Sequence, residues 1–353
     1  MPTDNFFTPL NEEDKRTNIL STISSPVWSG GTATLQSFFT SSVQSGSSGD
    51  YYYDVYDKVQ TDTTRQVQFA VAYGHVDGSG SLSTSAGNNP SKAIYRQFRN
   101  ICIKNSSSET RFDFDGNGEG TTYKAWDIFA LNVNRARYRE KLDPGNWELH
   151  LTANSRTTKL IDDSGATADS SVNASKRIFN VVSGSISSGT ANIKDTAVAQ
   201  STINSAGSLG YFFPELGVII LNAFALSQGD PYPAITLTRS AAANDDTAKQ
   251  AYNAISASSS TAYFQARREE QIKSSHYFCR VKSEEYNWSQ NPTYYTGSNA
   301  EIRNATFIQD PKSYITTVGL YNSQNELLAV AKLSQPLLKS RDREAVIKVR
   351  LDF

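Results

Sequence analysis

The stretch EAVIKVRLDF, Glu344 to Phe353, decides the fold class. Lys348, Arg350 and Asp352 fall on one side of an extended chain, and Ile347, Val349, Leu351 and Phe353 on the other. Apart from Val346 on the polar side, this is the period-two alternation of a half-buried strand. The chain is therefore expected to run into a sheet at this end, with Phe353 packed, so that a tag appended there disturbs the fold. Working backwards, YITTVGLYN (314–322) and ELLAVAKLS (326–334) have the same Val, Ile, Leu, Tyr and Thr character. Tyr321 to Asn325 is a polar break suited to a hairpin, and Gln335-Pro336 is expected to close the second strand.

Composition points the same way. The 353 residues suffice for a sizeable core and two or three domains. Hydrophobic residues make up 38% and charged residues 20%, while Ser, Thr, Asn and Gly are abundant, which suits β-rich architecture better than a helical bundle. The expected class is mainly β (α+β), with β-sandwich-like domains, a few helices and long Ser/Gly-rich loops. Eighteen Tyr and seventeen Phe supply sandwich cores and subunit contacts. A net charge of −1 with interspersed signs gives no basic footprint for nucleic acid and no polybasic membrane patch.

The organisation expected from the residues has four parts. Residues 1–50 form an N-terminal arm with a short charged helix over Asn11 to Ile23 and a flexible loop from Thr40. Residues 51–154 form a β-rich domain with strands at Tyr51–Tyr56, Gln66–Tyr73, Ala125–Val133 and Asn146–Leu151. Its one amphipathic helix has Asn89 as N-cap, Pro90 in first position and an apolar stripe of Ile94, Phe98 and Ile101. Residues 155–208 read as a loop-rich insertion holding one strand, Arg177–Val182. Residues 209–353 form a C-terminal β-rich domain with a helical segment 240–273, broken near Ser258 to Ser260. Phe264, Arg268 and Ile272 share a helical face there, and Arg267 to Glu270 are expected as a solvated face, with an ion-pair contact to a neighbour as the alternative. Leu216 to Leu221 is continuously apolar and is expected to be covered on both faces.

Chemical motifs are few. Asp113, Asp115, Asn117 and Gly118 match the first half of a calcium loop, but Gly120 and Lys124 depart from it, and a strand-joining turn explains the same letters. Asp143-Pro144-Gly145-Asn146 fits a type II turn. Cys102 and Cys279 lie in no metal or redox spacing and are expected to be buried apolar thiols. His75, His150 and His276 are isolated, His150 being expected on a polar strand face. The adjacent carboxylates Asp162-Asp163, Asp245-Asp246 and Glu284-Glu285 point to opposite faces in a strand and make poor acid–base pairs. No nucleophile elbow or zinc signature occurs. No catalytic, cofactor-binding or metal-ligating residue is assigned, no cofactor is expected, and the chain is expected to be non-enzymatic. The N-terminus lacks a signal-peptide pattern, and the longest apolar run is about half the ~20 residues that span a bilayer, so a soluble protein made in the cytoplasm is expected.

Three stretches carry a family resemblance. HYFCRVKSEEYNWSQNPTYYTG (276–297) with the strands that follow, GSLGYFFPELGVIILNAFAL (207–226), and AVAYGHVDGSGS (70–81) with NPSKAIYRQFRNICI (89–103) resemble virion structural proteins of contractile-tailed phages. The nearest class is the baseplate wedge proteins of myoviruses that infect cyanobacteria. The resemblance implies a virion location in the tail baseplate. It implies other baseplate wedge and tail proteins as partners, with homo-oligomer contacts inside the assembly and no nucleic-acid or membrane partner. The alternative is a receptor- or carbohydrate-binding tail protein, with Tyr51, Tyr53 and Tyr56, or Tyr294 and Tyr295 beside Trp288, as sugar platforms. A polysaccharide-degrading tail enzyme is a third option.

Overall fold

The computed structural model describes residues 7–41, 52–80, 90–103, 111–114, 124–164, 171–173, 178–187, 190–193, 208–230, 232–239, 246–257 and 263–352. The first half of the chain gives β1 (Lys15–Pro26), β2 (Thr34–Leu35), β3 (Phe39–Ser41), β4 (Tyr52–Tyr56), β5 (Val67–His75), α1 (Pro90–Cys102), β6 (Asp127–Val133), β7 (Lys141–Leu142), β8 (Glu148–Ala153) and β9 (Arg156–Asp162). Next come β10 (Ser171–Asn173), β11 (Ile178–Ser187), β12 (Thr190–Ile193), β13 (Gly210–Phe213), β14 (Val218–Asn222), α2 (Ala223–Ser227), α3 (Asp246–Ser256) and β15 (Phe264–Gln265). The last stretch holds β16 (Arg267–Val281), β17 (Tyr295–Thr296), β18 (Glu301–Ile302), α4 (Thr306–Gln309), β19 (Lys312–Tyr321), β20 (Leu327–Ser340) and β21 (Ala345–Asp352). The protein is mainly β with a few helices, the class expected from its composition.

Two compact units share the chain: residues 1–21 with 271–353, and residues 22–270. The division falls inside β1 and β16. The expected boundaries at 50, 154 and 208 do not coincide with it, because strands on either side of each pair with one another: β3 with β4, β8 with β9, and β11 with β13.

The larger unit is built on one thirteen-stranded sheet in the order β2-β15-β8-β9-β11-β13-β14-β6-β5-β4-β3, with β10 and β12 on β11. Every pairing with a register is antiparallel, and β6, β13 and β14 alternate between two cores. Phe69, Val71 and Tyr73 of β5 join Phe129, Leu131 and Val133 of β6, Ile219 of β14 and Phe264 of β15 in the inner core. Val218 and Ile220 of β14 with Ile128 and Ala130 of β6 form the outer core with Tyr95, Phe112 and Phe114. β14 is buried at all five positions, so Val218 to Leu221 are covered on both faces as expected, whereas Leu216 in the turn before it is exposed. The sheet curls over the inner core. α3 packs against β8 and also against β4 and β5, which stand far apart in the strand order. Trp28 spans the same gap, its ring 5.9 Å from Phe69 and 4.9 Å from Phe264, and its Nε1 donates to the Phe264 carbonyl at 2.8 Å. The two halves of the sheet thus face each other in sandwich-like packing.

Several expectations are corrected. The 155–208 stretch is no loop-rich insertion in its described part: β9 and β11 are interior strands of the sheet. Asn11 to Ile23 forms a 3-10 turn at Glu12–Asp14 and then strand β1, since its Thr- and Ile-bearing half has β rather than helix preference. Among the described residues of 240–273 the helix is α3, and residues 264–265 and 267–273 are strands. Phe264, Arg268 and Ile272 are four apart, a spacing that fits one strand face as well as a helix face. The α1 stripe is Ser91, Tyr95, Phe98 and Cys102, whereas Ile101 is 52% exposed. Asn89, the expected N-cap, lies outside the described residues.

The smaller unit contains β21 paired with β16 over eight residues, Ser274↔Asp352 to Val281↔Ala345. Ile347 and Val349 are buried and Val346, Lys348, Arg350 and Asp352 exposed, as the alternation required; Phe353 is outside the described residues. β19 and β20 form a separate two-stranded sheet. Pro336 does not close β20. The strand continues to Ser340 through an irregularity that pairs Ile315 with Leu337 and Thr317 with Lys332, and Pro336 sits inside it.

Candidate functional site

The β19–β20 hairpin is the most distinctive surface of the smaller unit. Val330 pairs with Gly319 and Ala329 with Leu320, after which the register shifts and Tyr321 meets Leu327. Leu328 is the extra residue of this bulge, which bends the strand and re-aims its neighbours. Tyr321 and Leu327 lean over Gly319: a Cβ added there would stand 2.9 Å from the Tyr321 ring and 3.2 Å from Leu327 Cδ1. Leu327, Leu328, Val330 and Tyr321 are 51%, 68%, 55% and 45% exposed. Phe7 packs edge-on against Tyr321 at 4.8 Å and is itself exposed. Exposed apolar side chains gathered in this way on a two-stranded sheet, which is marginal alone in water, make this surface the candidate site.

The base of the hairpin is held firmly. Lys339 is fully buried, and its Nζ donates to the carbonyls of Ser283 and Ser340 and to Asn287 Oδ1, at 2.8–2.9 Å. Desolvation lowers its pKa, and three oxygen acceptors hold the ammonium. Loop 283–287 is thereby pinned to β20.

The aromatic residues singled out from the sequence separate into two groups. Tyr53 is core, stacked on Tyr252 at 5.8 Å, and Tyr56 lies under the Arg65 guanidinium; Tyr51 is outside the described residues. Trp288 is 51% exposed and lies nearly parallel to Tyr295, 6.4 Å between centroids, while Tyr294 stacks on Phe307.

Of the calcium-loop residues, Asp115, Asn117, Gly118 and Gly120 lie outside the described residues; Asp113 and Lys124 form a backbone bridge. Among the described residues no group of three His, Cys, Asp or Glu side chains could hold a metal. Gly145 has φ +81° in the expected turn, and its N–H donates to Asp162. Asp163 points away from Asp162 and accepts from the Asn180 backbone and side-chain amides, both at 2.9 Å. Both cysteines are half-buried free thiols rather than fully buried ones; burial pushes the Cys102 thiol up to about 12 and raises that of Cys279. Arg267 to Glu270 is not a helical face: Glu269 pairs with Lys141 at 2.7 Å, and Glu270 with Arg139 at 3.4 Å and Arg268 at 3.3 Å.

Two buried polar clusters were not legible in the sequence. Asp127, fully buried at the start of β6, accepts from the Tyr73 hydroxyl at 2.5 Å and from Arg239 through both carboxylate oxygens. His75 Nε2 stands 3.9 Å from the same carboxylate, and its Nδ1 accepts from the Asp77 and Ser79 amides. That assigns the proton of the neutral ring to Nε2, and burial lowers the His75 pKa. The second cluster corrects the placement of His150, which is 7% exposed. It lies opposite Leu149 and Leu151, but that face too is covered: Nε2 bonds Glu148 at 2.5 Å and the ring stacks on Tyr263 at 4.6 Å. Glu148 also accepts from the Ile186 amide at 2.6 Å, and these bonds outweigh desolvation to lower its pKa. Both clusters tie separate segments of the larger unit together.

No helix among the described residues is long and apolar enough to cross a membrane. The chain matches no protein-family model, no curated protein and no solved structure.

Proposed function

We propose that this chain is a non-enzymatic structural subunit of a contractile phage tail baseplate, a wedge component that works through interfaces with copies of itself and with other wedge and tail proteins. The observation that carries the reading is the exposed apolar face of β19 and β20, with Tyr321, Leu327, Leu328 and Val330 set around Gly319. Such a face favours association by burial of apolar area. The resemblance read in the sequence of residues 276–297, 207–226, 70–81 and 89–103 is the ground for choosing this assembly. Cryo-electron microscopy of the virion that carries this chain tests it. Density for 274–353 in the ring around the tail tip is the expected result, and its absence from the baseplate overturns the reading.

One observation favours a second reading, a carbohydrate-binding tail protein. Trp288 presents an open indole nearly parallel to Tyr295, an arrangement able to stack on the CH face of a sugar ring. A glycan array separates the two: binding lost in Trp288→Ala supports it, and an array blank for the wild-type chain removes it.

A further inference from the structure

The outer face of the large sheet is covered by α1 over only part of its width. Along β5 the residues facing outward are small, Ala70, Ala72 and Gly74, while Phe69, Val71 and Tyr73 face the inner core. Gly74 has a packing reason, since a Cβ there would stand 3.0 Å from the Tyr95 backbone of α1. Among the described residues no helix lines the surface above Ala70. It is the floor of a cleft of about 590 Å³, the size of a small-ligand site.

The row crossing that floor is Asp54–Ala70–Asn132, consecutive cross-strand partners on β4, β5 and β6. With strands about 4.8 Å apart, the backbones of Asp54 and Asn132 stand about 10 Å from each other with a methyl between them. Among the described residues no donor or cation reaches the Asp54 carboxylate, and partial burial raises its pKa. Arg135, the cation of the cleft, is committed elsewhere: its guanidinium lies over the Tyr138 ring at 4.6 Å, and its NH1 faces the carbonyls of Glu140 and Glu215 at 3.3 and 3.5 Å. Val67 and Leu216 supply apolar wall.

We infer that this cleft receives a primary alkylammonium group, a lysine side chain presented by a partner chain. The ammonium donates to the Asp54 carboxylate and the Asn132 amide oxygen, and the methylene stem lies along the apolar wall. Other ligand classes fit less well. An anion meets an uncompensated carboxylate. A pyranose lacks an open aromatic face, because Tyr138 is 4% exposed beneath Arg135. The Asn134 side chain is spent on the Val67 carbonyl and the Ala136 amide, and the remaining lining side chains, Asp54, Asn132 and Glu215, offer fewer oxygens than the roughly six to eight a calcium ion takes. The volume exceeds a single side chain and leaves room for the segment that carries it. This inference does not rest on the proposed assembly role.

The test is calorimetric and NMR titration of the full chain with n-pentylamine, with 1-pentanol as neutral isostere, and with an acetylated, amidated Gly-Lys-Gly peptide. Pentylamine is expected to bind at least tenfold more tightly than pentanol and to shift the resonances of Asp54 and Asn132. In Asp54→Asn, checked for an unchanged circular dichroism spectrum, the preference is expected to vanish; Leu216→Ser, at an exposed position, is expected to weaken amine and alcohol together. Equal affinity of amine and alcohol, no saturable amine binding, or an Asp54→Asn variant that keeps the preference overturns the proposal. Tighter binding of the peptide than of pentylamine supports a protein-borne lysine, and weaker or equal binding overturns that source in favour of a free amine.

Discussion

Phe69 on β5 and Phe264 on β15 meet edge to face, 5.1 Å between centroids at 89°, although six strands separate them in the sheet order. Both are fully buried, so this contact is where the curled sheet closes on itself. Phe264→Ala should cost about 3–5 kcal/mol, with Phe69→Ala similar. Because the rings share one cavity, the double variant should lose measurably less than the sum. Urea unfolding of the four proteins reads this out; strict additivity would show that the rings do not cooperate in closing the sheet.

Asp127 is held by a guanidinium that is itself partly open to water. Arg239→Met should leave a fully buried carboxylate with Tyr73 as its remaining close donor, a loss of about 2–3 kcal/mol. This is below the figure for a wholly buried pair because the Arg239 side chain is 44% exposed. Removing the acid as well, in Asp127→Asn/Arg239→Met, should restore part of the stability. Thermal melts that show the double variant no better than the single would count against the clamp.

Asp163 should give the chain an uncommon pH response. Burial raises its pKa from 3.8 to about 6, the Asn180 bonds opposing only in part. The folded protein therefore holds this proton more tightly than the unfolded one. The contribution is fully present below the unfolded value and is lost as pH rises through about 6. The stability lost between about pH 4 and 6 is of the order of 1–3 kcal/mol. Asp163→Asn should flatten that part of the stability–pH curve. An unchanged slope in the variant would assign the effect to other groups.

Gly217 closes the β13–β14 turn at φ +64°, and a Cβ there would lie 2.5 Å from the Tyr138 ring. Gly217→Ala combines a left-handed backbone with overpacking and should destabilise by about 2–4 kcal/mol. Shortening the obstacle in Gly217→Ala/Tyr138→Leu should relieve the packing part and leave the backbone part. Chemical denaturation of the single and double variants separates the two; a single variant as stable as the wild type would refute the clash.

How much could be foreseen depended on the uniqueness of each pattern. β21 was legible because Ile347, Val349 and Leu351 alternate with charges, a pattern no helix satisfies. β14 was legible because a short run of five buried aliphatic and polar-capped positions next to Pro214 and Gly217 has few alternatives. The segment 264–273 misled because apolar residues four apart suit both periods, and Ser/Thr-rich β9 and β11 offered too little apolar alternation to be recognised as interior strands. Of the candidate sites, the apolar letters of the hairpin were visible, but the bulge that gathers Tyr321, Leu327 and Leu328 was not. The cleft was invisible, since Asp54 and Asn132 stand 78 positions apart in the sequence.

The sequence by itself determined the class of the protein: aromatic and β-branched supply, strand periodicity and turn residues are local properties, and local sterics act on them directly. The tertiary structure alone decided which strands neighbour one another, how far the sheet curls, and which polar side chains end up buried together. Asp127 with Arg239 and Glu148 with Ile186 are brought together by the tertiary fold, whereas Glu148 and His150 share a face of β8 by strand periodicity and only their burial is tertiary; the gain from burying the shared core is what holds the closure in place.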